Sequence, residues 1–184
     1  MAIHLHQNDL PDGLSLGPVV AIDTETMGLD PRRDRLCVVQ LSDGSGNEHL
    51  VRFNPGSTYD APNLKALLAD NSRVKLYHYA RFDLAALYHY LGVMAGPVFC
   101  TKIASRLTRT YTDRHGLKNL VEDLLGENLS KQQQSSDWGA AEINEAQREY
   151  AASDVRHLHA MHAILAERLE RDGRAEMAQA AFDY

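Results

Sequence analysis

The chain has 184 residues, 44% of them hydrophobic, enough for one domain with a sizeable core and too few for two comfortable ones. Its formal charge of −6, from 19 basic and 25 acidic residues, argues against a protein that coats long nucleic acid by charge, but not against one that grips a short end. No stretch approaches the roughly 18 apolar residues of a membrane span, no basic n-region leads into an apolar run, and Cys37 and Cys100 form neither a CxxC motif nor a disulfide framework, so buried free thiols and a reducing cytoplasm are expected.

His4 and His6 fall near an N-terminus that is expected to be mobile. The first predicted strand runs from Val19 to Thr24. Around its end Val19, Ala21, Asp23 and Glu25 alternate with Val20, Ile22 and Thr24, a period of two that sends both carboxylates out of one face. Strands follow at Leu36 to Ser42 and Glu48 to Phe53, separated by turn-rich segments, so the chain opens as a meander. A further strand is predicted at Val74 to Tyr77 and a short one near Val98. Helices are predicted at Asn63 to Ala69, Arg81 to Leu91, Lys102 to Thr108, Leu117 to Leu125, in one long run from Asn144 to Arg171, and from Ala175 onward. Three consecutive strands followed by alternating strands and helices describe an α/β domain, a mixed sheet covered by helices. The segments from Tyr111 to Gly116 and from Gln132 to Ser136 are the loops best suited to contact a partner.

Acids lie on the apolar stripes of three of these elements. Asp83, Ala86, Leu87, Tyr90 and Leu91 follow a helix-face template with the acid in the first turn, where it also suits the helix dipole. Tyr150, Asp154, Leu158, Met161 and Leu165 form a second helical stripe, with the phenol one turn from the carboxylate. A buried, unpartnered carboxylate is costly, so acids at Asp23, Glu25, Asp83 and Asp154 point to bound cations or shifted pKa values.

Each motif alone is weak. Asp-x-Glu matches by chance in a chain so rich in charge, although here it ends an apolar strand and precedes an exposing turn at Thr26, Met27 and Gly28. A Tyr four residues before an Asp occurs also at Tyr79 and Asp83. It is the combination in one small domain that argues for a site. His157, His159 and His162 do not share one helix face and are expected to be solvated, partly snorkelling side chains, while His78 follows a strand and precedes Asp83, which allows a role beside the site. Lys102, Arg106, Arg109, Arg114 and Lys118, with His115, make a solvated face, a subunit contact or a phosphate-gripping rim, and the sequence does not choose among these.

Hard oxygen ligands without thiolates select Mg²⁺ or Mn²⁺ over zinc. Two such ions roughly 4 Å apart can activate a water on one side of a phosphodiester and hold the leaving oxygen on the other, so phosphodiester hydrolysis is the natural reaction. With an unperturbed pKa near 10, a phenol there positions the water more readily than it takes a proton.

The segments AIDTETMGL (Ala21 to Leu29), HYARFDLAAL (His78 to Leu87) and YAASDVRHL (Tyr150 to Leu158) resemble, in order, the three motifs of the DEDD 3′-5′ exonucleases. The Tyr four before the last Asp marks the DEDDy branch, which includes ribonuclease D; the sister branch has a His five before that Asp, where this chain has Glu149. SSDW (Ser135 to Trp138) is similar to the ribonuclease D group. Together with CTKIASRLTRTYTDRHGLKNL and LSKQQQSSDW, almost the whole chain resembles a group of short bacterial nano-RNases of the oligoribonuclease functional class.

The resemblance implies a ribonuclease H-like fold, with residues 1–184 forming a single exonuclease domain and no accessory helical module. It implies Asp23, Glu25, Asp83, Asp154 and Tyr150 as catalytic residues. Asp23 would be shared by two ions, Glu25 and Asp154 would complete the first, Asp83 would serve the second through water, and Tyr150 would orient the nucleophile. Thr24, Met27, Gly28, Leu29, His78, Tyr79 and Trp138 would contact substrate, Leu29 as a wedge between terminal bases and His78 and Tyr79 beside the scissile end. The broader family usually has Asn where Tyr79 stands, and a ring there could stack on a base. Trp138 is either a core anchor or part of the pocket wall, and a packing role beside the site is expected. The activity implied is 3′-5′ hydrolysis of very short RNA, dinucleotides above all, to 5′-mononucleotides by a homo-oligomer, an octamer by resemblance. The alternatives are a general RNA or DNA trimming exonuclease and a non-catalytic module that binds RNA ends; degenerate modules should lose metal ligands, and all five motif positions are intact here.

Overall fold

A computed structural model describes residues 2–130, 133–134 and 136–184. Its strands are β1 (Ala2–Gln7), β2 (Val19–Thr26), β3 (Leu36–Ser42), β4 (Asn47–Arg52), β5 (Val74–Tyr77) and β6 (Val98–Cys100). They form one mixed sheet in the order β1-β4-β3-β2-β5-β6. β2, β3 and β4 are the expected antiparallel meander, while β5 pairs parallel with β2 and β6 parallel with β5. The helices are α1 (Pro62–Ala69), α2 (Ala80–Leu91), α3 (Thr101–Thr108), α4 (Leu117–Leu120), α5 (Glu145–Arg156), α6 (Leu158–Arg171) and α7 (Ala175–Asp183). Both faces of the sheet are covered, which is why β3 is buried along its whole length and reads as an almost continuous apolar run.

The alternation in β2 sorts the core. Val20 and Ile22 join Leu64 and Leu68 of α1 and Leu87 of α2 on one face, whereas Ala21 joins Ala104, Leu158, Met161 and Leu165 on the other. Trp138, Ile143 and Ala151 pack on Val38 and Leu50 of that second face. Asp23 and Glu25 share the parity of Ala21 and so face α5. Cys37 and Cys100 are buried free thiols, and no helix among the described residues is long and apolar enough to cross a membrane.

Several expectations need correction. The N-terminus is an edge strand: β1 pairs parallel with β4 from Ala2↔Asn47 to Gln7↔Arg52, and Ile3 and Leu5 pack beneath Trp138 and Ala151. The predicted helix from Asn144 to Arg171 breaks at His157 (φ −104°, ψ −2°), because α5 lies across the sheet while α6 turns to pack on α3. His157, His159 and His162 are packed rather than solvated. His157 Nδ1 lies 3.2 Å from Glu127, His159 Nε2 2.8 Å from the Val19 carbonyl, and His162 stands edge-on to Phe99 at 4.5 Å. The predicted helix from Leu117 to Leu125 is helical throughout but ends as a π-helical stretch, Val121–Leu125. Of the segment from Gln132 to Ser136, Gln132 and Ser135 lie outside the described residues.

Candidate active site

The C-terminal end of β2 lies between the two helical layers, and each layer delivers acid to it. A β-bulge between Glu25 and Thr26 re-aims the strand as it leaves the sheet. Asp23 and Glu25 point toward α5. Thr24 points the other way, and its hydroxyl donates to Asp83 Oδ1 at 2.5 Å, which ties the first turn of α2 to the strand. α5 starts at a capping box between Asn144 and Gln147 and ends with Arg156 paired to the buried Glu48 of β4 at 2.8 Å. Held at both ends, α5 presents Tyr150 and Asp154, one turn apart, to the strand acids.

Oxygens of Asp23, Glu25 and Asp154 lie within 4.8 Å of one another. Asp83, buried beside Thr24, stands outside that trio. Burial pushes Asp23 well above the usual carboxylate range, and the charges of Asp83, Asp154 and Glu25 push it further. Glu25 is raised by burial and then by Asp154; Asp83 is pushed up to about 8 by burial, against the opposing hydrogen bond from Thr24. No ion pair among the described residues involves Asp23 or Glu25. Hard carboxylate oxygens crowded together and desolvated, with no cationic side chain to neutralise these two acids, fit a divalent cation of the Mg²⁺ or Mn²⁺ type.

These acids open into a cavity of about 760 Å³ that is also lined by Thr24, Met27, Gly28, Leu29, His78, Tyr79, Trp138 and Tyr150. Every site residue expected from sequence therefore faces one space. Tyr150 is half-buried, and its phenol is pushed up by burial first and by Asp154, Glu25 and Asp23 next. Its ring lies 5.9 Å from that of Trp138, which is 2% exposed and serves both as core anchor and as cavity wall. Leu29, 84% exposed, and Met27 project from the turn after β2. Met27 crosses directly over Gly139, where a Cβ would collide with its sulfur. Tyr79 caps α2 in the left-handed conformation (φ +67°, ψ 59°), uncommon outside glycine, with its ring exposed. Thr101 donates to the Tyr77 carbonyl at 3.0 Å, so its oxygen accepts from His78 Nδ1–H at 2.8 Å and fixes that tautomer.

The basic series divides. Arg109 is buried and bound to Asp123 at 2.5 Å, and Arg114 pairs with Glu122 and Asp123. Lys102 and Lys118 instead line the cavity, and Lys102 Nζ sits 4.3 Å from the centroid of the Tyr79 ring. Gln40 was not anticipated. Its Nε2 donates to Asp23 Oδ2 and Glu25 Oε1, each at 3.2 Å. The only signal in the sequence is one polar residue inside the apolar run Leu36 to Leu41.

Comparison with known proteins agrees with this geometry. A family model described as a 3′-5′ exonuclease matches residues 7–170. Ribonuclease D of Gluconacetobacter diazotrophicus is 38% identical over 162 residues, 86% of this chain and 40% of that protein, so the chain spans about two-fifths of the length of this relative. Among solved structures, Brucella melitensis NrnC with bound Mg²⁺ is 54% identical with a TM-score of 0.93, covering 100% of this chain and 89% of that one. The same Brucella protein bound to pGG is 56% identical with a TM-score of 0.94 and the same coverage. Escherichia coli RNase D superposes at a TM-score of 0.72 with 28% identity, over 91% of this chain and 45% of that one. With acids on three elements converging on one cavity and the family match running through all of them, the chain belongs to the 3′-5′ exonuclease family, in the ribonuclease D-like branch that includes NrnC.

Proposed function

We propose that this chain is a divalent-metal-dependent exoribonuclease that shortens very small RNAs from the 3′ end, dinucleotides above all, and releases 5′-mononucleotides. The observation that carries this reading is the convergence of Asp23, Glu25, Asp83, Asp154 and Tyr150 on one cavity. Its volume, about 760 Å³, falls in the range of roughly 300–1,000 Å³ typical of small-ligand pockets, which suits a substrate of a few nucleotides better than a long strand. The pGG bound to the Brucella protein supports the same substrate class.

In this reading Asp23, Glu25, Asp83 and Asp154 would be the residues that hold two divalent ions, Mg²⁺ or Mn²⁺, with Asp23 the ligand common to both. Bound there, such ions supply positive charge at the scissile phosphate and lower the pKa of water. The chain supplies the rest. Tyr150, a half-buried phenol whose ordinary pKa lies near 10, holds the attacking water in line and leaves proton removal to other groups. Leu29 and Tyr79 offer an apolar wedge and a ring to the bases, and His78 borders the scissile end. Lys102 and Lys118 face the phosphates from the cavity wall. The 184 residues act as one exonuclease unit within a homo-oligomer, an octamer by its likeness to short nano-RNases.

The second reading is general trimming of RNA or DNA, favoured by the likeness to ribonuclease D. A time course on 5′-labelled RNAs of two to seven nucleotides, with matched DNA, in Mg²⁺ and in EDTA, separates the two. A dinucleotide specialist clears the RNA dimer roughly ten times faster than the longer RNAs or any DNA, a barrier difference of about 1.4 kcal/mol. Equal rates across lengths would favour trimming, and full activity in EDTA would remove the metal reading.

A further inference from the structure

We propose that Gln40 is a positioning residue that sets the metal-binding geometry of Asp23 and Glu25, an inference that rests on the metal reading above. In the β2–β3 register Gln40 lies directly opposite Asp23, on the face of the sheet that meets α5, and its side chain is fully buried. Both protons of its amide are used on acids, one on Asp23 Oδ2 and one on Glu25 Oε1 at 3.2 Å each. One amide thus pins one oxygen of each of two like-charged carboxylates that share a cluster with Asp154.

The chemistry of the donor matters. Arg or Lys at this position would neutralise the acids and compete with a divalent ion, whereas an amide fixes their rotamers without adding charge. The rest of the Gln40 environment gives no reason for a polar residue. Its Oε1 is buried without a hydrogen-bond partner among the described residues, which opposes folding. An isosteric apolar side chain would fill the same space in β3 without leaving that carbonyl unpaired. A residue that buries an unpaired carbonyl and spends both its donors on two acids is explained by what those acids do.

Metal affinity and folding are read separately, so a positioning role is distinguished from a structural one. Gln40→Met, with Gln40→Leu as a second variant, is compared with the parent protein by calorimetric titration of Mg²⁺ without RNA and by thermal unfolding in EDTA. The expected result is a cooperative unfolding transition in EDTA, which shows that the variant folds, together with Mg²⁺ affinity weakened by 10- to 100-fold, the usual scale for lost outer partners of metal ligands. A folded variant whose Mg²⁺ affinity falls by less than about tenfold overturns the proposal. So does failure of both variants to fold, which would make Gln40 a residue that maintains the fold. If the parent itself binds no Mg²⁺, the metal reading fails and takes this inference with it, an outcome visible before any variant is made.

Discussion

Asp23 ionises against burial and against the charges of three neighbouring acids, so in the absence of a cation the site works against the fold. Replacing one acid relieves that repulsion. Asp154→Asn is expected to abolish hydrolysis while raising the Tm of the protein in EDTA, a gain of about 0.5–2 kcal/mol, as for other strained functional sites. The pH dependence follows from Asp83, whose folded pKa of about 8 lies above the ordinary carboxylate value near 4. Between those values the folded state binds the extra proton, so stability falls as pH rises through that window. Unfolding in EDTA from pH 6.5 to 8, above the range in which His49 titrates, should therefore show a declining Tm, and saturating Mg²⁺ should flatten the decline. Tyr150→Phe keeps the ring beside Trp138 and removes only the hydroxyl. We expect kcat to drop about a hundredfold with KM nearly unchanged, which steady-state kinetics on a dinucleotide would detect; an equal loss through KM would mean that Tyr150 serves substrate binding instead.

At the level of elements, β1 adds a strand and also places His4 and His6 against His49 of β4. The rings stack with centroids 4.9 Å (His4–His49) and 5.3 Å (His6–His49) apart, and His6 Nε2 lies 3.0 Å from His49 Nδ1. Burial first, and then His4 and His6, push the His49 pKa down to about 4. The unfolded chain takes up this proton near pH 6.5, before the folded protein does. The associated stability is therefore complete above pH 6.5 and is lost as pH falls toward 4. The Tm of His49→Leu relative to the parent should therefore rise as pH falls from 7 to 5, and parallel curves for the two proteins would show that the stack does not titrate as described. The opposite face of β1 carries Ile3 and Leu5 under Trp138, so this edge strand also supports the cavity wall.

At the scale of the whole molecule, an acidic chain that acts on RNA as proposed needs positive charge inside the cavity. Arg109 and Arg114 are consumed by Asp123 and Glu122, whereas Lys102 and Lys118 line the space where phosphates would lie. Lys102→Ala is expected to raise KM for short RNA several-fold and to weaken the salt dependence of binding, since one phosphate contact changes the slope of log K against log salt by about one. The proposed octamer would have eight times the 20.5 kDa mass of the chain, and light scattering measures this directly. A mass near one chain would remove the oligomer from the functional reading.

The acids of the candidate site were legible in the sequence because their placement is local. A period of two put Asp23 and Glu25 on one side of a strand, and helical spacing put Tyr150 one turn from Asp154 and Asp83 in a first turn; backbone geometry imposes these relations whatever surrounds them. Motif order then carried the family and the fold class. Contacts between distant segments were a different matter. Gln40 meets Asp23 only through the register of β2 and β3, Thr24 reaches Asp83 only because α2 begins beside the strand, and Lys102 is separated from Arg109 in role only by what each packs against. β1 found its partner across more than 40 residues, and the expected long helix broke at His157 because its two halves cover different surfaces. Periodicity is a property of the chain by itself, whereas register, packing and the pairing of charges are decided by which surfaces meet, and only the tertiary structure holds that information.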